Sequence, residues 1–323
     1  FFANISKKIG LLDHPNSRKL HKGSIPLVGG VAIYSCLFLY FIFFDTSYFN
    51  KVIFISSIFI FLMGLYDDIS ELGVAERIFF QTFITLLIIG FGIRIYDLGY
   101  FSIGTYEIIL ELGGFGVILT VLCIIGYSNA INFSDGLDGL AGGYLINCFT
   151  SIIIFSYIFG NYADLEILYL IVILLIIFTI SNFGIFLPKI FLGDNGSTSL
   201  GFLASCYLVY FTLPDIRYFH PILTLWAAPI PIFDFIIVFT FRVLKKKSPF
   251  QPDRNHLHYM LSNSAIPQKY ISIVLVLSSM LLSTIGLITF IYFGALSSLI
   301  LFLFILLIFC LIYINYSENN HSI

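Results

Sequence analysis

Asp67, Asp68, Asp135, Asp138 and Asp194 lie in three short loops between long apolar runs, in a chain of 323 residues that is only 11% charged. Lipid cannot solvate a carboxylate, so acids beside membrane-length segments are costly and are retained chiefly for chemistry or transport. Their oxygens are hard donors suited to a divalent cation, and a carboxylate can also take a proton. Acid–cation chemistry is the first reading of these loops, and the loop sequences divide it into parts.

The adjacent pair stands in GLYDDISELG (64–73). At a helix end the two acids point in different directions, so one can bind a cation while the other hydrogen-bonds or accepts a proton; alone, the pair also reads as a solvated helix cap. NAINFSDGLDGLAGG (129–143) is more specific: Asn132, Asp135 and Asp138 are three apart and share one face of a helical or turn-like segment. Its glycines let a bulky ligand approach the backbone.

In NFGIFLPKIFLGDNGSTSLGF (182–202), Gly193 and Gly196 flank Asp194 and Asn195, and Ser197 and Thr198 can cap the next helix. A carboxylate, a helix N-terminus and Lys189 together suit a magnesium-bound diphosphate. Phe191 can stack on a base, although among 37 Phe it reads equally as a membrane aromatic. SPFQPDRNHLHYML (248–261) supplies Arg254, His256 and His258. The HxH spacing can ligate zinc but has no third ligand nearby, which favours phosphate contact. GLLDHPNSRKLHKGSIPLVGG (10–30) offers Lys19, His21 and Lys22 to an anion, and generic orientation charge explains them nearly as well. Asp234, near Pro229 and Pro231, is ambiguous, while solvent exposure accounts for Asp97, Glu107, Glu111, Asp164, Glu166 and Asp215.

These loops need a frame. The chain is 59% hydrophobic with a mean hydropathy of +1.00, which marks a polytopic helical membrane protein. Apolar segments near 27–44, 52–66, 78–93, 115–131, 139–160, 165–187, 199–213, 221–243, 271–293 and 295–314 predict ten spans. The apolar start at Phe1 suggests an eleventh before it.

Alternating the loops puts Lys7, Lys8, Arg18, Lys19, Lys22, Arg77, Lys189, Arg242, Lys245, Lys246, Lys247, Arg254 and Lys269 on one side. Only Lys51, Arg94 and Arg217 fall on the other, so the positive-inside rule makes the first side cytoplasmic. All five acids fall there with His256 and His258. The expected architecture is all-α, one membrane-embedded domain over 1–323, with cytoplasmic loops near 6–26, 66–77, 132–138, 188–198 and 244–270. The five cysteines lie inside apolar runs without CxxC spacing and read as small fillers. A net charge of −2 carries no nucleic-acid signal.

HKGSIPLVGG, GLYDDISE, NAINFSDGLDGLAGG, FLGDNGSTSLGF and SPFQPDRNHLHYML, in this order, resemble the polyprenyl-phosphate N-acetylhexosamine-1-phosphate transferase family over almost the whole chain. The resemblance is nearest to its bacterial GlcNAc-type branch. It implies a reaction in which a UDP-N-acetylhexosamine gives its sugar 1-phosphate to undecaprenyl phosphate, releasing UMP. This would be the first step of a lipid-linked cell-surface polysaccharide such as O-antigen. It implies Mg2+, with Mn2+ as an alternative ion, membrane lipids as surroundings, a homodimer as one assembly, and catalytic loops on the cytoplasmic side of the bacterial inner membrane.

By the same resemblance Asp194 is the first candidate metal ligand and Asp67 the second. Asp67, Asp68, Asp194 and His258 are the candidate catalytic residues. Asn132, Asp135, Asp138, Asn182, Lys189, Phe191, Arg254, His256 and Lys22 are the candidate substrate contacts. A lipid phosphate with a second pKa of about 6 is largely ionised at neutral pH, so the division of labour between Asp67 and Asp68 stays open. Tyr259 departs from the pattern, where related sequences commonly carry a further histidine.

Phospho-MurNAc-pentapeptide transfer is the nearest enzymatic rival. A transporter would place its acids deep within spans and show inverted repeats, whereas these acids gather at one surface. A CDP-alcohol phosphotransferase needs a basic residue where DGLAGG (138–143) has Gly142.

Overall fold

The computed structural model describes residues 6, 10–13, 23–246, 256–262 and 266–320. Its main elements are α1 (Gly29–Phe43), α2 (Tyr48–Ser70), α3 (Val74–Gly90), α4 (Phe115–Ser134), α5 (Leu140–Ile158), α6 (Glu166–Asn182) and α7 (Gly193–Tyr210). They continue with α8 (Leu223–Ala227), α9 (Pro229–Leu244), α10 (Leu257–Ser262) and α11 (Gln268–Asn320). Helices α2, α4 and α5 and the Tyr270–Ser317 part of α11 are long and apolar enough to cross a membrane, and α1 and α6 are shorter apolar helices. At 1.5 Å per residue, about 20 residues cover the roughly 30 Å of hydrocarbon. Ile55, Phe59 and Leu62 on α2 and Ile118 and Leu122 on α4 face outward, as expected where lipid is the solvent. The chain is a helical membrane protein.

Helix α7 is the centre. Every residue from Asn195 to Tyr210 is buried, and the helix packs chiefly against α2 and α4. Its first half is rich in small residues, which let helix backbones approach closely. Gly64 of α2 is the clearest case: a Cβ there would lie 2.6 Å from Asn195 Cα and 2.7 Å from the Asp194 carbonyl oxygen. The same pair of helices meets again at the far end, where the Tyr207 hydroxyl donates to Asn50 Oδ1 at 3.0 Å. The two helices are therefore antiparallel, with the C-terminus of α2 set against the N-terminus of α7.

The helical expectation holds for the apolar segments and differs at two places. The segment 221–243 is two helices, α8 and α9, separated at Ala228 (φ −148°, ψ 55°). Proline lacks an N–H and pushes the preceding residue out of the helical region, so Pro229 forces this break. The division between the runs 271–293 and 295–314 is present as expected: α11 contains non-helical Gly294 (φ 81°, ψ 178°), and Ser298 Oγ reaches back to the Gly286 carbonyl oxygen at 3.4 Å. Twelve residues of straight helix would rise about 18 Å, so the chain doubles back at Gly294 into a helical hairpin.

The second difference adds a little strand to a chain that is otherwise mostly helical, as expected. An antiparallel hairpin, β3 (Asp97–Ile103) with β4 (Tyr106–Glu111), fills the α3–α4 connection. A two-residue pairing, β1 (Leu12–Asp13) with β2 (Ile25–Pro26), precedes α1. Tyr106, Ile108 and Leu110 alternate with Glu107, Ile109 and Glu111 at the period of a strand.

Candidate active site

The C-terminus of α2 and the N-terminus of α7 bring Asp67, Asp68 and Asp194 together. Asp68 spans the crossing: its Oδ1 accepts the Asp194 amide at 2.9 Å, and its Oδ2 accepts the Asn195 amide at 3.1 Å. The Asn195 side-chain amide also donates to Oδ2. A helix begins with amides that have no internal acceptor, and a carboxylate there satisfies both their hydrogen-bonding and the helix dipole. The N-terminus expected to greet a diphosphate is thus capped by Asp68.

Asp67 and Asp194 are arranged differently. The Leu72 amide donates to Asp67 Oδ1 at 2.6 Å, and Arg77 Nη1 donates to Asp67 Oδ2 at 3.0 Å. The same Nη1 lies 3.7 Å from Asp194 Oδ2, so one guanidinium nitrogen bridges two acids. Asn132 Nδ2 donates to Asp194 Oδ1 at 2.8 Å and to Ser197 Oγ at 2.9 Å. Asp194 is therefore oriented through one oxygen while its side chain remains 42% exposed.

The end of α4 with the turn 135–139 meets the end of α6 with the loop 183–192 beside this cluster. Lys189 Nζ pairs with Asp138 Oδ2 and stands 5.4 Å from the Phe191 ring centroid. Asp138 is 38% exposed, which leaves the Lys189–Asp138–Phe191 group open at the surface. Asn182 is buried, with Oδ1 accepting the Gly139 amide at 2.6 Å and Nδ2 donating to the Ile190 carbonyl at 2.9 Å. It ties the two loops together. Asp135 caps α4, with its amide donating to the Asn132 carbonyl at 3.1 Å. The Phe191 amide donates to the Pro26 carbonyl and the Gly29 amide to the Phe191 carbonyl, both at 2.9 Å, so the turn before α1 holds this loop from its other side.

His256 and His258 close the third side and are both buried. Asp234 of α9 binds the start of α10 twice: Oδ2 is 2.8 Å from His256 Nδ1, and Oδ1 accepts the Leu257 amide at 2.8 Å. Arg242 Nη2 lies 3.4 Å from His256 Nε2. The Nε2 of His258 is buried without a hydrogen-bond partner among the described residues, and a Cβ on Gly136 would sit 3.2 Å from it. Burial pushes the His258 imidazole down to about 4, with the Asp234 carboxylate opposing and His256 adding to the shift. Its ring is neutral near pH 7. Lys22 and Arg254 lie outside the described residues.

Three contributors were not singled out by sequence. In the sequence Arg77 reads only as a cytoplasmic charge, Asn195 only as a neighbour of Asp194, and Asp234 as ambiguous. Arg77 stands nine residues after Asp68 in sequence, too far for motif spacing to suggest a bridge. For Asp234 a signal was present, since an acid inside an apolar helix needs a partner.

Among the described residues, no group of three or more His, Cys, Asp or Glu is arranged to enclose a metal. Magnesium seldom needs such a cage, because it commonly binds one or two carboxylates, water and substrate phosphates. Asp67 and Asp194 offer that donor set, and a guanidinium cation already bridges them.

Fold and site together define a helical membrane protein with a polar, acid- and histidine-lined site at one end of its bundle. The family model "Glycosyl transferase family 4" matches residues 50–212. A relative from Yersinia pestis is 31% identical over 316 residues, covering 95% of this chain and 86% of the relative. One from Escherichia coli (strain K12) is 31% identical, covering 88% and 78%, and one from Haemophilus influenzae is 32% identical, covering 88% and 81%. Each bears the name undecaprenyl-phosphate alpha-N-acetylglucosaminyl 1-phosphate transferase. The chain belongs to glycosyl transferase family 4.

Proposed function

We propose that this protein transfers N-acetylglucosamine 1-phosphate from UDP-GlcNAc to undecaprenyl phosphate, giving undecaprenyl-diphosphate-GlcNAc and UMP. The observation that carries this reading is the convergence of Asp67, Asp68 and Asp194 with Asn132 at one end of the bundle, in a chain whose relatives are named for this reaction. In the transfer, an oxygen of the lipid phosphate bonds to the phosphorus bearing the sugar, and the bridging oxygen leaves with UMP. Both reactants are polyanions, so positioning and charge neutralisation dominate.

Each group then has a task. Asp68 caps α7 and fixes its first turn, and Asn132 orients Asp194. Asp67 and Asp194 would hold Mg2+, which when bound neutralises the diphosphate charge. Arg77, which bridges the two acids in the structure, would supply a cation for a phosphate at the same place. Lys189, Asp138 and Phe191 form the group suited to the nucleotide end, and the neutral His258 can hydrogen-bond a phosphate oxygen without adding charge.

The same reading takes ten spans in the chain, with α8 and α9 sharing one and α11 supplying two. The acid end faces the cytoplasm of the bacterial inner membrane, by the Lys and Arg distribution. Purified protein in vesicles carrying undecaprenyl phosphate is to be given UDP-GlcNAc, UDP-GalNAc and UDP-MurNAc-pentapeptide separately, with mass analysis of the lipid product. The expected product comes from UDP-GlcNAc with equimolar UMP; a product from UDP-MurNAc-pentapeptide alone would replace this reading with its rival.

A further inference from the structure

We propose that Asp234 is a positioning residue of this site, whose carboxylate turns His256 into a strut that presents His258 to the sugar-nucleotide diphosphate. The ligand in this statement rests on the function proposed above; the strut itself does not.

Asp234 lies in α9, in the run PIPIFDFIIVFTFRVL, where a lone carboxylate would be costly. Both of its oxygens are used on a separate element. One accepts the amide of Leu257, a first-turn donor of α10 that has no partner within its own helix. The other meets His256 Nδ1 at 2.8 Å. Arg242 follows eight residues later, about 12 Å along the helix, and its long side chain brings Nη2 to 3.4 Å from His256 Nε2.

The protonation pattern follows from donor inventory. A guanidinium only donates, so His256 Nε2 must supply the lone pair, and the ring proton must sit on Nδ1 and point to Asp234. Both nitrogens of His256 are then occupied by protein. Two residues later, the His258 ring stands 5.9 Å away and within 11° of parallel. Its Nε2 is buried, unpartnered among the described residues and directed toward Gly136. The two histidines thus have unlike roles: one is held and one is offered.

The strut is also continuous with the acid cluster. The Phe133 ring lies 5.1 Å from the His256 ring and 5.9 Å from Arg242 Cζ. Its chain neighbour Asn132 donates to Asp194. Asp234 therefore sets the position of the histidine side relative to the acid side.

The test uses purified protein labelled with 15N at the histidine rings, together with single and double variants. The wild-type His256 resonances are expected to report a protonated Nδ1 and a bare Nε2, and Asp234→Asn to abolish that pattern. In the transfer assay Asp234→Asn is expected to lower kcat/KM for UDP-GlcNAc about 30-fold, a loss of roughly 2 kcal/mol. Combining it with His256→Ala is expected to add little, because the two act as one unit. His256→Asn keeps a side-chain N–H at the Nδ1 position and is expected to retain most of the activity that His256→Ala loses. If Asp234→Asn fails to fold, the His256 pair and the wild-type resonances still decide the matter. A protonated Nε2 on His256, full kcat/KM in folded Asp234→Asn, or equal losses in the two His256 variants would overturn the proposal. Absence of transfer by the wild type would overturn the function and leave the resonance test standing.

Discussion

The two ends of the bundle both contain buried acids, and they handle them in opposite ways. At the end away from the site, Asp97, for which solvent exposure is the account expected from sequence, is instead sealed: Arg217 Nη2 donates to its two oxygens at 2.8 and 2.6 Å, the Gly99 amide adds a bond at 2.7 Å, and its side chain is 5% exposed. Asp164 is shared between Asn50 Nδ2 at 3.1 Å and the Tyr210 hydroxyl at 2.7 Å. These acids fasten β3 and the turn after α5 to their neighbours. At the site end, Asp194 is 42% exposed and Asp138 38% exposed, and the cation that faces Asp194 Oδ2 stands at 3.7 Å. An acid that holds a fold together has its oxygens consumed, whereas one available to a ligand is oriented through one oxygen and open at the other. Asp67, 5% exposed with both oxygens engaged, resembles the first kind except that its cation Arg77 is shared with Asp194, and Asp68 has both oxygens on the first amides of α7.

Several substitutions can break this contrast. Gly64→Ala places a methyl against the backbone of Asp194 and Asn195 and should push α2 from α7 where the acids meet. A displacement near 1 Å in such a site costs about 100-fold in rate, to be measured as kcat in the vesicle assay on folded protein. Equal activity would mean that the crossing tolerates movement and that the acids are not set by it.

Lys189→Ala removes the partner of Asp138 and the cation beside Phe191. It should raise KM for the sugar nucleotide about tenfold with kcat little changed, the mark of an interaction made equally in ground and transition states. A fall in kcat alone would move Lys189 from the nucleotide end to the reacting phosphates.

Arg217→Met tests the opposite end. It leaves Asp97 buried without its cation, which costs about 3–5 kcal/mol of stability, seen as a lower midpoint of thermal unfolding in detergent. Transfer per folded molecule should stay within about twofold. A specific loss of transfer would show that the two ends are coupled.

The smallest effect concerns pH. His258 binds its proton at about 4 in the folded protein and near 6.5 when unfolded. The unfolded chain therefore holds more protons between these values, and the contribution of His258 to stability falls as pH drops from about 6.5 toward 4. His258→Asn should flatten the stability profile in that window; an unchanged profile would contradict a buried neutral ring.

Much of this was legible in the sequence. Apolar run length marked the helical segments, and alternation of loops put Asp67, Asp68, Asp135, Asp138 and Asp194 at one end, because both signals are local. What escaped depends on partners far apart in the chain. Asp68 caps a helix that begins 125 residues later, so its role as a cap cannot be read from the DD pair. Asp234 bonds His256 across 22 residues that include the break from α9 to α10. The hairpin at 97–111 had a local signal in the alternation of Tyr106, Ile108 and Leu110 with Glu107 and Glu111, but Ile109 and the surrounding hydrophobicity obscured it. The break at Ala228 was foreshadowed by Pro229 and Pro231, and the reversal at Gly294 by a single glycine between two apolar runs.

The most direct test of the central claim is the rate of lipid-diphosphate-GlcNAc formation from UDP-GlcNAc and undecaprenyl phosphate, compared between folded Asp194→Asn and folded Asp97→Asn in the presence of Mg2+. Removing one stabiliser of transition-state charge costs about 10²–10³-fold, and loss of a carboxylate that would hold the charge-neutralising Mg2+ is expected to be of that size. The account predicts a fall of that size for Asp194→Asn and a rate within about threefold of wild type for Asp97→Asn. Unimpaired transfer by Asp194→Asn, or equal losses in both variants, would contradict it.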